Sequence, residues 1–197
     1  MNKKLIKQLI IGIIFVAVLG SLSHFFYEWS GENTFVAFFS PVNESIWEHM
    51  KLIFFPMLLY TWYLTEKYPD NDYILSAMLA GTLFGTFLIP IFYYAYAGIL
   101  GFHISAIDIS IFFISVLAAF CKIYCLLSPE NATQKRETQK QCLASPNFFS
   151  KFLCCICRGC HFLFLRKNRL IGITLIMCIL FFVFTFKHPD IAIFAEP

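Results

Sequence analysis

Apolar residues fall along this chain in blocks of about 20, each closed by a polar or charged knot, and a bilayer-crossing helix needs about that length. The first block runs from Leu5 to about Tyr27 and carries no formal charge between Lys7 and Glu28. The second, from about Ile46 to Leu64, has Glu48, His49 and Lys51 in its first turns. The third, Tyr73 to Tyr96, is uncharged throughout. The fourth, Ile104 to Leu127, holds Asp108 near one end and Lys122 near the other, and the fifth, Leu170 to Phe186, is short but clean. The pattern predicts an all-α, polytopic helical membrane protein with about five transmembrane helices. It divides the chain into a four-helix membrane core over residues 1–127, a basic Cys-rich cytoplasmic segment over 128–169, and a fifth span with a short outer tail over 170–197.

Composition supports that class. The 197 residues are 59% hydrophobic and only 14% charged, which leaves too little polar surface for a soluble domain of this size. The net charge of +3 matters less than its placement. With an odd number of spans and the N-terminus inside, all but Lys51 and Lys187 of the 15 basic residues fall on the cytoplasmic side. The basic residues gather at span ends and not in a groove, so nucleic acid is not an expected partner; the lipid bilayer is, at the cell membrane, and an oligomer is compatible with the sequence. The start also resembles a signal peptide, with Ser21 and Ser23 as a cleavage pattern, but it fits a full-length span better. Pro56 and Pro90 lie inside spans and should each free a carbonyl, while "GTLFG", residues 81–85, allows close approach of another helix.

Of the 8 Cys, Cys121, Cys125 and Cys178 lie in apolar stretches and read as small buried hydrophobes. Cys142, Cys154, Cys155, Cys157 and Cys160 crowd one basic segment. There "CCICRGCH", ending at His161, contains CxxCH haem-attachment spacing, but that chemistry belongs to the outer face and this segment is expected inside. Thiolate-bound zinc is a second reading of it, and an acylated or merely packed juxtamembrane thiol cluster a third. The surrounding "FLCCICRGCHFLFL" is too short to cross and reads as interfacial or re-entrant.

The ionisable residues of the other face are more suggestive. His24 and Glu28 are four apart on one face of the first helix, as are Glu44 and Glu48, and Ser45 and His49, at the second. Asp108 sits about a turn into the fourth span, where an unpaired charge is costly, and His103 lies just before it. Carboxylate and imidazole so spaced can share a metal or act as an acid–base pair. The candidate polar site is therefore His24, Glu28, Asn43, Glu44, Glu48, His49, His103 and Asp108, with His24, Glu28, His49 and Asp108 as ligands of a divalent metal. A structural reading stands beside it. "SIWE" matches a capping box of Ser45 and Glu48, Asn43 could cap instead, Lys51 can snorkel or pair with Glu48, and Tyr27, Trp29 and Trp47 suit an interfacial aromatic belt.

The stretches "HFFYEWSG" and "PVNESIWEHMKLIFFPMLLY" resemble a family of small bacterial membrane proteins, the domain-of-unknown-function family six-five-one-two. "IPIFYYAYAGILGFHISAIDISIFF" and, more loosely, "FTFKHPDIAIF" support it, so the resemblance covers roughly residues 15–127 and 170–194. It implies an integral membrane protein with its signature near one membrane face and brings no enzyme class. The 128–169 segment is longer than the family's pattern, and "KHPD" stands where a proline pair is expected.

Three functions fit these residues. The first is an outward-facing pocket, built from the first, second and fourth spans, that binds a cation or small polar ligand in a transport- or receptor-like protein. The second is a metal-dependent membrane hydrolase, using the same His residues, Asp108 and Ser45, although no HExxH or GxSxG string is present. The third is a non-catalytic scaffold subunit.

Overall fold

The computed structural model describes residues 3–127, 167–186 and 192–194, all of them helix, turn or connecting chain. The order is α1 (Lys3–Trp29), a short α2 (Thr34–Ala37), α3 (Ile46–Lys67), α4 (Asp72–Leu100), α5 (Ser105–Leu127), α6 (Lys167–Phe184) and a 3-10 turn (Ala192–Phe194). The five long helices alternate in direction, so α1, α4 and α6 end where α3 and α5 begin. The Cys154–Cys160 cluster, His161 and the "KHPD" stretch lie outside the described residues.

Four helices, α1, α4, α5 and α6, are long and apolar enough to cross a membrane. The chain thus has the build of a helical membrane protein. α3 is not among the four, although its 22 residues would span roughly 33 Å. Its polar groups are hidden by protein instead: Glu48, Lys51 and Thr61 are all buried, with α1 and α4 packed along it.

Small residues set how closely the helices lie. α4 packs most extensively on α5, with Gly81 and Gly85 facing Ala119, Ser115 and Ile123. A Cβ on Gly85 would lie 2.8 Å from that of Ala119, so the GTLFG stretch does make a close helix contact. On α1, Gly12 fits against Tyr60 and Phe120, and Gly20 against Phe112 and the carbonyl of Leu52. Pro56, lacking an N–H, cannot bond that carbonyl, so Gly20 rests on a backbone oxygen freed from its own ladder. The helix runs through Pro56 without interruption, as α4 does through Pro90.

The start of α3 is bolted into the bundle. Lys51 Nζ donates to Glu48 Oε2 at 2.7 Å, to Thr185 Oγ1 at 2.9 Å and to the carbonyl of Ala37 at 3.1 Å, which accounts for all three ammonium hydrogens. Glu48 Oε2 also accepts the Val42 N–H at 3.1 Å. Lys51 therefore turns inward and does not snorkel. Trp47 is likewise no belt residue: it is buried against Phe181, Phe184 and Phe194. Trp29, exposed at the end of α1, is consistent with the belt reading.

Candidate functional site

The loop before α3 shapes the rim. Ser45 caps the helix, its hydroxyl accepting the Glu48 N–H at 3.4 Å. Glu48 does not return to close a capping box, because its carboxylate is taken by Lys51 and Val42. Asn43 Oδ1 accepts the Ser45 N–H at 3.1 Å in its place. The resulting tight turn leaves Glu44 pointing out of the protein chain's own hydrogen bonding and toward α1.

There Glu44 meets two imidazoles. Its Oε1 lies 3.5 Å from His24 Nε2 and its Oε2 lies 3.4 Å from His49 Nε2. The two imidazole rings are tilted against each other with centroids 5.6 Å apart. One ligand atom from each of His24, Glu44 and His49 can be chosen so that all lie within 4.8 Å of one another, the spread of a single ion's coordination shell. The other nitrogens are fixed differently. His49 Nδ1 lies 2.9 Å from the Ser45 carbonyl, while His24 Nδ1 is buried with no hydrogen-bond partner among the described residues.

A second polar group sits at the α4–α5 turn, where Gly101 closes α4 in a left-handed conformation. The Tyr96 hydroxyl donates to Asp108 Oδ1 and accepts the Ile104 N–H, and His103 Nδ1 lies 3.6 Å from Asp108 Oδ2. His24, Glu44 and His49 from the first group and His103 and Asp108 from the second line one cavity of about 710 Å3 between α1, α3, α4 and α5. Its remaining wall is mostly apolar, and its floor is Leu52 and Phe112, packed around Gly20.

The structure thus redraws the set read from the sequence. His24 and His49 come together, with Glu44 between them. Glu28, a turn beyond His24, is exposed and makes no ion pair among the described residues, because α1 ends at Trp29 and the left-handed Gly31–Glu32 turn carries the chain away. Asp108 is not part of the His24–Glu44–His49 cluster; Tyr96 and His103 hold it on the far side of the cavity. Asn43 and Glu48 serve the loop and the buried lysine, and Ser45, its hydroxyl buried in the cap, is not placed for nucleophilic chemistry. Sequence spacing does not single out Tyr96, which stands with Tyr93 and Tyr94 near the end of α4 that meets Asp108.

No curated protein and no solved structure matches the chain. A family model does match, over residues 1–130, which takes in α1 to α5 and every residue of the cavity but excludes the 170–194 stretch of the resemblance. On that match the chain belongs to the Family of unknown function (DUF6512).

Proposed function

We propose that the protein is a receptor-like binding protein of the cell membrane, with its N-terminus inside, whose outward-facing cavity holds a divalent cation on His24, Glu44 and His49. The observation that carries this reading is the Glu44 carboxylate lying between two imidazole Nε2 atoms at 3.5 and 3.4 Å. A carbonyl can only accept, so His49 Nδ1 bears its hydrogen toward Ser45. In the neutral ring Nε2 then offers a lone pair to a carboxylate that is also an acceptor. A metal cation between them resolves the conflict, as would a proton on Nε2, and the separation distinguishes the two. The distances agree: charge-assisted hydrogen bonds close to about 2.7–2.9 Å, whereas two ligands of one tetrahedral zinc, with bonds of about 2.0–2.1 Å, stand about 3.3 Å apart. The Nδ1–H to backbone carbonyl contact is the usual outer partner of a metal-binding histidine.

Three protein ligands leave a fourth position open to the cavity. Below Leu52 and Phe112 the interior is filled by Ile53, Val116, Tyr60 and Phe120, all buried, which supports binding over conduction through a continuous polar path. The orientation rests on charge. Among the described residues, the helix ends opposite the site carry Lys3, Lys4, Lys7, Lys67, Lys122, Lys167 and Arg169, whereas the site end has only the buried Lys51. The open position also favours a second reading, a metal-dependent hydrolase that activates water, with no serine nucleophile.

Equilibrium dialysis of the full chain against zinc tests the first reading, with Cys154, Cys155, Cys157 and Cys160 changed to Ser so that thiolates do not compete. One ion per chain is expected. Affinity should fall more than about tenfold in Glu44→Gln and His49→Ala and hold in Glu28→Gln. Binding that survives both site variants would sink the proposal. Hydrolysis of added esters or amides that depends on the ion would establish the second reading.

A further inference from the structure

We infer that the cavity is open sideways, between α1 and α5, to the bilayer, and that its ligand is a phospholipid headgroup carrying both a phosphate and an amine. This rests on the cation reading for one of its two contacts. The lateral opening rests on geometry alone. Gly20 lets α1 lie against Leu52 and Phe112, and above that contact the two helices are parted by the cavity. Ser21 and Phe25, four apart on α1, form one lip; Ile109 and Phe113, four apart on α5, form the other. All four are exposed although they line a cavity, Phe25 at 45%, Ile109 at 60% and Phe113 at 43%. They belong to helices apolar enough to span the membrane, so the surface they share is one that lipid chains would cover. The cavity lining runs from Ser105 to Phe113, roughly 12 Å along α5, so a lateral opening at Ile109 and Phe113 would lie about one turn or more into the span.

Charge selects the occupant. On the α1–α3 side, the open position of a cation held by His24, Glu44 and His49 calls for an anionic oxygen, which a phosphate supplies. On the α5 side, Asp108 faces the same cavity, its Oδ1 taken by the Tyr96 hydroxyl and its Oδ2 3.6 Å from Nδ1 of the exposed His103. Oδ2, beyond close hydrogen-bond distance of that imidazole, has room for an ammonium. An ion and a carboxylate on opposite walls fit a zwitterion. The mostly apolar remainder of the wall fits the first carbons of its chains, and 710 Å3 suits a headgroup with that stub while the tails stay in the bilayer.

The test is native mass spectrometry of the zinc-loaded full chain in detergent. It is titrated with dioleoyl phosphatidylethanolamine, with dioleoyl phosphatidylglycerol, or with water-soluble glycerophosphoethanolamine. Retention of the ethanolamine lipid about tenfold above the glycerol lipid is expected, with Asp108→Asn removing most of that preference. Ile109→Trp, which fills the lateral opening, should cut lipid retention about tenfold while zinc stoichiometry stays at that of the wild type. Equal retention of both lipids would overturn the headgroup assignment. Soluble headgroup binding as tightly as lipid, or lipid binding unaltered by both Ile109→Trp and Ser21→Trp, would overturn the lateral route. Zinc bound without any lipid retention overturns this inference and leaves the cation reading standing; lipid retained equally by the zinc-free chain overturns the phosphate contact, and the cation reading falls only if zinc binding survives Glu44→Gln and His49→Ala.

Discussion

Lys51 has no exposed surface at all, and its single charge is matched by Glu48 with two neutral acceptors completing its shell. Removing one member of such a pair strands the other in the core, which typically costs about 3–5 kcal/mol. Lys51→Met should therefore destabilise strongly. Lys51→Met with Glu48→Gln should recover a good part of the loss, because the amide keeps an acceptor for Val42 without a buried charge. Thermal unfolding in detergent measures both; equal melting temperatures for single and double variants would contradict the pairing. Residue chemistry was only half legible beforehand. Spacing offered Glu48 as a partner for Lys51, but Thr185 is 134 residues away and nothing local points to it. The sequence places Glu44 in the polar set but not among the ligands, because helical periodicity cannot say where a side chain in a turn will aim. The Asn43–Ser45 hydrogen bond that aims it is visible only in the folded loop.

At the scale of elements, helix contact is governed by where a Cβ would collide. At Gly20 the obstacle is the Leu52 backbone oxygen 2.6 Å away, which cannot swing aside. Gly20→Ala should push α1 off α3, costing about 1–3 kcal/mol, and should weaken zinc binding because His24 lies one turn further along. Gly98, in α4 with nothing within 4 Å of its Cβ position, is the control: Gly98→Ala should be neutral or gain up to about 1 kcal/mol. Parallel melting and dialysis curves for the two variants decide this, and equal effects would contradict the packing described. The elements themselves were mostly readable from apolar block length, with boundaries within a few residues for α1, α3, α4 and α5. α3 shows the limit of that approach. Composition alone does not mark it as a span, and its place inside the bundle follows from partners on other helices that satisfy Glu48 and Lys51.

For the whole molecule, the claim is an orientation: the site end outside, the lysine-rich end inside. In a Cys-depleted variant of the full chain, an impermeant thiol reagent added from outside should label Glu32→Cys, in the turn after α1, and spare Asp70→Cys, in the turn after α3. The reverse pattern would turn the cavity toward the cytoplasm. On the proposed cation site, acidification should also weaken zinc binding, since protons compete for ligand imidazole nitrogens. An affinity that rises on acidification would contradict imidazole ligation.

The most direct measurement is zinc K-edge X-ray absorption on the full chain with Cys154, Cys155, Cys157 and Cys160 changed to Ser, loaded with one equivalent of zinc. A cation held by His24, Glu44 and His49 gives a first shell of nitrogen and oxygen at about 2.0–2.1 Å with imidazole outer-shell scattering. A shell without imidazole outer-shell scattering, or one containing sulfur at about 2.3 Å, would contradict the site.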